Sequence, residues 1–484
     1  VNQADNSKYK LISPKTAGES QDLLSGKSSD ESLRRIQALL ADWLRMENLV
    51  VLTAAGTSVD AGGKLMAGPR DNNLECLVLD AVENCDISDN TKKIVTERKS
   101  LWEDGKSAGR EQLGFEGWLS YLFGAEQLTN LNNSPLSHLQ WRSKADIDGV
   151  KVEASTGDEK QHPETPSPLV LTADELKKLN GYIEKAIYAE LAINFDNSEL
   201  IDNPETTTGH ISFLAKLISR DSGLGRTHLF TLNYDTMFEQ TMEELGIHYF
   251  DGFVGKANSK FDPSVYGLDL YFPGDVAEGK VRRYDKFLQF YKLHGSLHWY
   301  VDDKGTYRAR HSGFDFLGNY RDLEPAQKAE KLQSKEYEKI GSYGIMPTSQ
   351  KFIQTLEMPF AHLFRLLHAR LHQPQTFLLV LGYGFGDEHV NRIIESALSN
   401  PSLVMLVVEP NSDSEIVKRI AKYQSLGQRA FVLTENAADC TYSAATFRDF
   451  AENVLPDVKW LEDYKRLRNF EREIENANRD RDGL

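Results

Sequence analysis

The sequence predicts an α/β fold, a Rossmann-like and mainly parallel sheet with a helical insertion after its first strand. Two observations predict it. Leu49-Val-Val-Leu-Thr53 is a short apolar run that turns abruptly into Ala54-Ala-Gly-Thr-Ser58, the form of a buried parallel strand ending in a loop of small residues. Later apolar runs at Thr227–Leu232, Thr376–Leu381 and Leu403–Val408 end in the same way, in Asn233-Tyr-Asp235, Gly382-Tyr-Gly-Phe-Gly-Asp-Glu-His389 and Glu409-Pro410. In an open parallel sheet such carboxyl ends line one crevice, and ligands bind there.

Composition limits the classes that remain. At 484 residues, with 40% hydrophobic and 26% charged residues, the chain reads as globular. No apolar run approaches the ~18 residues of a membrane span. The net charge of −16 disfavours broad attraction to nucleic acid or anionic membrane. Val1–Asn6 is polar with no apolar core of a secretory signal, so a cytoplasmic location is expected. Cys76, Cys85 and Cys440 form no CxxC pair, which argues against a disulfide framework and against a four-cysteine zinc site.

Residues 1–30 are rich in Ser, Asp, Lys and Gly and are expected as a flexible N-terminal arm. Leu33, Ile36, Leu39, Leu40 and Leu44 recur at helical spacing and mark an amphipathic helix that feeds the first strand. The insertion is expected over about 70–217, mainly helical, with Leu77, Val78, Leu79 and Val82 in one segment, Phe115–Leu122 in another, and a polar, proline-bearing loop over about 143–168. Within it Thr172-Ala-Asp-Glu175 reads as a capping box, ahead of a stripe of Leu176, Leu179, Ile183, Ile187 and Leu191. Beyond it, Phe287–Leu293 reads as a strand broken by His294-Gly-Ser296, with a hairpin turning at Asp302–Gly305. Asp322–Lys339 and Pro359–Leu371 read as helices, Arg429–Leu433 as the last strand, and 456–484 as a charged C-terminal helix.

The chemistry-bearing clusters are Ala54-Ala-Gly-Thr-Ser58, Thr231-Leu-Asn-Tyr-Asp235, Leu293-His-Gly-Ser296 and Gly382–His389. The first matches neither G-x-G-x-x-G nor the P-loop and by itself is equally an ordinary turn. The alternative for Asn233–Asp235 is an N-cap and turn, and for His294 a core or hairpin histidine. His210, His298 and His389 read as structural, His389 as a packing or cap residue at a helix start.

Taken together, in this order and with Ile345-Met-Pro347, the clusters resemble the sirtuin-like NAD-binding family over residues 31–455, and most of all its bacterial anti-phage branch, which consumes NAD. The resemblance implies hydrolysis of NAD to nicotinamide and ADP-ribose. Asn233 matches the family's catalytic asparagine, which orients the nicotinamide ribose and the attacking water, and His294 matches the catalytic histidine, the candidate base. Asp235 would support the ribose or nicotinamide end. Ala55, Gly56, Thr57 and Ser58 would lie at the phosphates, with free amides facing the anion. Gly382 and Gly384 would allow close approach, and Glu409 would accept from the adenosine ribose. Ala54-Ala55-Gly56 departs from the family's Gly-Ala-Gly, and Leu232 stands where deacylases carry glutamine. With no four-cysteine module, no zinc is expected, and the balance moves from protein deacylation toward NAD hydrolysis. The resemblance also implies a latent effector of defence, released by assembly or a phage signal. Relatives act as large homo-oligomers or with a HerA-type hexameric ATPase or a short Argonaute. The rivals are an NAD-dependent deacylase and a non-catalytic sensor of NAD or ADP-ribose that controls a partner.

Overall fold

The computed structural model describes residues 7–15, 19–66, 72–103, 114–130, 138–141, 169–193, 209–221, 223–255, 257–272, 283–309, 319–337, 355–436 and 444–460, with a few more up to 470. The polar loop at 143–168, Ile345–Pro347, Cys440 and most of the charged C-terminal helix lie outside them. The chain divides into two compact units. One takes residues 1–63, 193–311 and 355–484, and the other takes 64–192 and 312–354.

The first unit holds a nine-stranded sheet. Its strands are β1 (Tyr9–Pro14), β2 (Ser20–Asp22), β3 (Asn48–Thr53), β4 (Thr227–Thr231), β5 (His248–Phe250), β6 (Phe287–Lys292), β7 (Thr376–Leu381), β8 (Val404–Val408) and β9 (Ala430–Glu435). Their spatial order is β2-β1-β9-β8-β7-β3-β4-β6-β5, parallel from β9 to β5. The six strands from β6 to β9 follow the 3-2-1-4-5-6 order of dinucleotide-binding sheets, whose direction reverses between the first strand and the fourth. Here that switch lies between β3 and β7.

The inner strands are buried along their length, save half-buried Asn48 at the start of β3, because helices cover both faces of a parallel sheet. On one face Leu49, Val51, Leu229, Phe290, Phe377, Leu379 and Leu406 form a core with Ile36, Leu40, Trp43 and Leu44 of α1 (Ser29–Leu44). Phe213, Leu214 and Leu217 of α2 (Gly209–Ile218) and Phe238 and Met242 of α3 (Met237–Glu244) complete it. α4 (Phe360–Leu371) packs over β3 and β7, α5 (Glu388–Ala397) follows β7, and α6 (Glu415–Ser425) follows β8. The hairpin expected beyond His294 pairs Trp299–Val301 with Tyr307–Ala309.

Two expectations change. The N-terminal stretch is ordered where it is described: β1 pairs antiparallel with β9 and β2 with β1. Tyr9 and Leu11 are buried, and the Tyr9 hydroxyl donates to the Asp449 carboxylate. That stretch owes its order to a partner more than 400 residues away, which local composition does not show. α2, expected inside the insertion, packs in the sheet unit, where its Phe213, Leu214 and Leu217 complete the core.

The second unit is mainly helical, as expected, built from Leu74–Val82, Asp89–Glu103, Phe115–Asn130 and Ala173–Leu191, the last opened by the capping box at Thr172 and Glu175. His138–Trp141 pairs antiparallel with Leu169–Thr172. The later helix Pro325–Leu332 belongs here too, held by a buried ion pair of Lys328 with Glu190 at 2.7 Å. A second buried pair joins Arg98 to Glu75 at 2.5 Å.

At the switch between β3 and β7 the two following loops meet backbone to backbone. Ala54 N–H donates to Leu381 O at 3.1 Å, and Gly56 N–H donates to Gly382 O at 3.0 Å. A Cβ on Gly56 would stand 2.6 Å from Gly382 Cα, and one on Gly382 would stand 2.5 Å from Thr57 N. Gly382 also has φ of +63°, a left-handed conformation that glycine adopts without strain.

Gly56→Ala and Gly382→Ala are expected to lower stability by about 1–3 kcal/mol each. Gly384→Ala, where a Cβ meets nothing within 4 Å, is expected to fall within about 0.5 kcal/mol of the parent, and urea denaturation compares the three. His210 of α2 yields a second test. It is fully buried against the rings of Phe238 and Phe447, neither ring nitrogen has a hydrogen-bond partner among the described residues, and burial holds its pKa down at about 4 against the pull of Asp235. The unfolded chain binds this proton near the ordinary 6.5, so the stability that neutral His210 confers is present above that pH and is lost as pH falls toward 4. The loss reaches about 3 kcal/mol. His210→Phe should flatten the denaturation midpoint between pH 6.5 and 4 relative to the parent, and equal slopes would reject the assignment.

Candidate active site

The register of the parallel strands sets the site. Thr231 of β4 pairs with Lys292 of β6, and Thr53 of β3 pairs with both Thr231 and Leu381 of β7. Two residues beyond the paired ends stand Ala55, Asn233, His294 and Tyr383, so the expected loops converge on one end of the sheet. The loops are tied by their own backbone: Leu232 N–H donates to Thr53 O, Leu293 N–H to Thr231 O, and Leu297 N–H to Tyr234 O, each at 2.9 Å.

Asn233 is 6% exposed, and its amide is oriented by the first loop. Nδ2 donates to Ser58 Oγ at 2.9 Å and to Thr57 Oγ1 at 3.2 Å. Ser58 Oγ in turn donates to Asp235 Oδ2 at 2.8 Å, and Asp235 Oδ1 accepts from Met237 N–H at the start of α3 at 3.1 Å. Asp235, Ser58 and Asn233 thus form one chain of hydrogen bonds, with Asp235 anchored to a helix start. Asp235 therefore braces the first turn of α3 from the position before its N-cap, Thr236, and at the same time orients Ser58.

The first loop is arranged differently from the expected cradle of free amides. Gly56, Thr57 and Ser58 all donate their N–H groups within the protein, to Gly382 O, Ala54 O and Ala55 O. The loop is a pair of 3-10 turns, Ala55–Thr57 and Val59–Ala61, with no long helix directly behind it among the described residues. Gly56 serves close contact with Gly382, and the hydroxyls of Thr57 and Ser58 serve Asn233.

Beneath the Asn233 turn lies a pair that sequence reasoning missed. Lys292, 1% exposed at the end of β6, donates to the Asp235 carbonyl and forms an ion pair with Glu239 Oε1 of α3 at 2.9 Å. Burial pushes the Glu239 carboxyl up to about 7 against the pull of Lys292, and Glu239 Oε2 has no hydrogen-bond partner among the described residues. The available signal was a lysine closing the aromatic strand Phe287-Leu-Gln-Phe-Tyr-Lys292 and a glutamate on the apolar face of α3.

His294 is 3% exposed, in the turn after β6, close to the rings of Tyr234 and Phe364. Its Nε2 lies 3.3 Å from Nε2 of His389, the second residue of α5. His389 had read as a packing residue, and instead it faces His294 across the site. Asp387, at the N-cap of α5, also brings a carboxylate oxygen to this pair. The loop that carries both is braced: Tyr383 donates to Asn391 Oδ1 at 2.9 Å, and Asn391 Nδ2 donates to Phe385 O at 2.9 Å. Phe385 has φ of +52°, uncommon for a bulky residue and a mark of a loop held by its surroundings.

Gly384 is exposed on this loop with open space where a side chain would stand. Glu409 follows β8, and Val408 pairs with Leu381, so Glu409 lies beside Gly382 on the far side of the switch. Its carboxylate accepts from Asn411 N–H at 3.1 Å, and burial raises its pKa. Cys76 and Cys85 are buried in the second unit and are not joined in a disulfide.

No curated protein matches the chain. Residues 227–426, from β4 to the end of α6, match the family described as the SIR2-like domain, and this match supports a sirtuin-like family for the chain.

Proposed function

We propose that the chain hydrolyses NAD to nicotinamide and ADP-ribose. The observation that carries the reading is the placement of Asn233 and His294 at equivalent positions beyond neighbouring parallel strands, with the Asn233 amide held by two hydroxyls. Breaking the bond between nicotinamide and the ribose C1′ builds positive charge on the sugar, and a water must reach that carbon while losing a proton. With Nδ2 engaged by Thr57 and Ser58, Oδ1 of Asn233 is the amide atom that accepts from the ribose and the incoming water. His294 takes the water proton, and nicotinamide departs with the electron pair of the glycosidic bond. An imidazole suits this near neutral pH. Lys292 and the anchored Asp235 keep the Asn233 turn in place beneath the reacting sugar. Gly384, in its open loop, and Glu409 flank the adenosine side.

The SIR2-like match supports NAD chemistry in general, and two departures from the deacylase pattern, the lack of a four-cysteine module in the sequence and Leu232 in place of glutamine, favour water over an acyl-lysine as acceptor. The resemblance to the anti-phage branch supports a regulated effector that depletes NAD on a phage signal. It acts in a homo-oligomer or beside a HerA-type ATPase or short Argonaute, since unregulated hydrolysis would kill the host.

Nicotinamide release is the measurement. Asn233→Ala and His294→Ala are each expected to lower kcat by about 100-fold or more, and undiminished turnover in both would overturn the assignment. Ser58→Ala removes one orienting bond and should cost about tenfold in kcat/KM. Turnover of acetyl-lysine peptide in preference to hydrolysis would favour the deacylase instead.

A further inference from the structure

His294, His389 and Asp387 do more than line the site. We infer that they form a binding site for a divalent transition-metal ion of the zinc type. One ligand atom from each, an imidazole nitrogen from both histidines and a carboxylate oxygen from Asp387, lies within 4.8 Å of the other two. The imidazole pair is closer than that: the two Nε2 atoms stand 3.3 Å apart. Two nitrogens bound at about 2.0–2.1 Å in a tetrahedron are separated by about 3.3 Å, so the histidines already hold the edge that such an ion requires. Adjustment of the Asp387 side chain supplies the third ligand. Two imidazoles and one carboxylate suit zinc and its neighbours rather than magnesium or calcium, and three protein ligands leave a fourth position for water.

The surroundings fit a built site. His294 comes from the β6 turn, while Asp387 and His389 come from the β7–α5 loop, two segments fixed by strand pairing and by the Tyr383–Asn391–Phe385 brace. The Phe364 ring stands at 5.0 Å from His389 in an edge contact and at 6.3 Å from His294, an apolar wall that restricts how both imidazoles turn. Asp387 and His389 have no part in the proposed NAD chemistry, so their convergence on His294 needs its own account. This site is unrelated to a four-cysteine zinc module and uses no cysteine.

Occupancy has a consequence that rests on the proposed function: the metal takes the His294 lone pair that otherwise accepts the water proton. The ion would therefore hold NAD hydrolysis off, and its removal would release it.

The test uses the full chain stripped with a chelator. Titration calorimetry with ZnCl2, and the visible absorption of added Co2+, should show one ion per chain with a dissociation constant in the micromolar range or below. His389→Ala and Asp387→Asn, checked for folding by thermal melting, should each weaken binding by about 100-fold. Absence of stoichiometric binding to the parent, or parent-like binding by both folded variants, overturns the site. Nicotinamide release with and without zinc separates the two readings. Binding together with inhibition, relieved by chelator, is expected, whereas binding with full turnover keeps the metal site and rejects His294 as the base.

Discussion

The contact on which the site depends is the meeting of two peptide backbones at Gly56 and Gly382. It occurs where the sheet changes direction, between β3 and β7, and that is where a ligand crevice opens in this kind of fold. A side chain on either residue would push the two loops apart. With the loops in contact, Thr57 and Ser58 of the loop after β3 reach the Asn233 amide beyond neighbouring β4, and the loop after β7 carries Asp387 and His389 to His294. Four segments distant in sequence thus become a single arrangement through one absence of side-chain bulk.

A second layer lies beneath. Asn233 sits on a turn whose carbonyl at Asp235 accepts from Lys292, and Lys292 is paired with Glu239. An ion pair taken this far from water is expensive to desolvate, and it returns that cost only through good geometry and further hydrogen bonds. The bond from Lys292 to the turn is such a compensation. It ties the strand of the histidine to the turn of the asparagine, so the two proposed catalytic groups share one foundation.

Much of this was legible in the sequence because buried parallel strands are continuous apolar runs, and Leu49–Thr53, Thr227–Thr231 and Thr376–Leu381 stand out from their flanks. Asn233 and His294 were legible because each follows such a run. What was hidden depends on distant partners. Tyr9 and Leu11 belong to a strand only because Val432 and its neighbours wait at the other end of the chain. Lys328 joins the helical unit through Glu190, and no local pattern announces that pairing. His389 has the spacing of any residue in the first turn of a helix, and its meaning comes from a histidine 95 positions earlier. The fate of the Gly56–Ser58 amides was hidden for the same reason, since their acceptors include a carbonyl of another loop.

The two margins of the sheet are three-residue strands, β2 at one side and β5 at the other. A strand so short offers few unpaired backbone groups to a neighbouring molecule. The wide parallel interior is thereby kept from extending across copies of the chain. Association with itself or with another protein must then be carried by helical and loop surfaces, whose side chains can be specific in a way that bare backbone cannot.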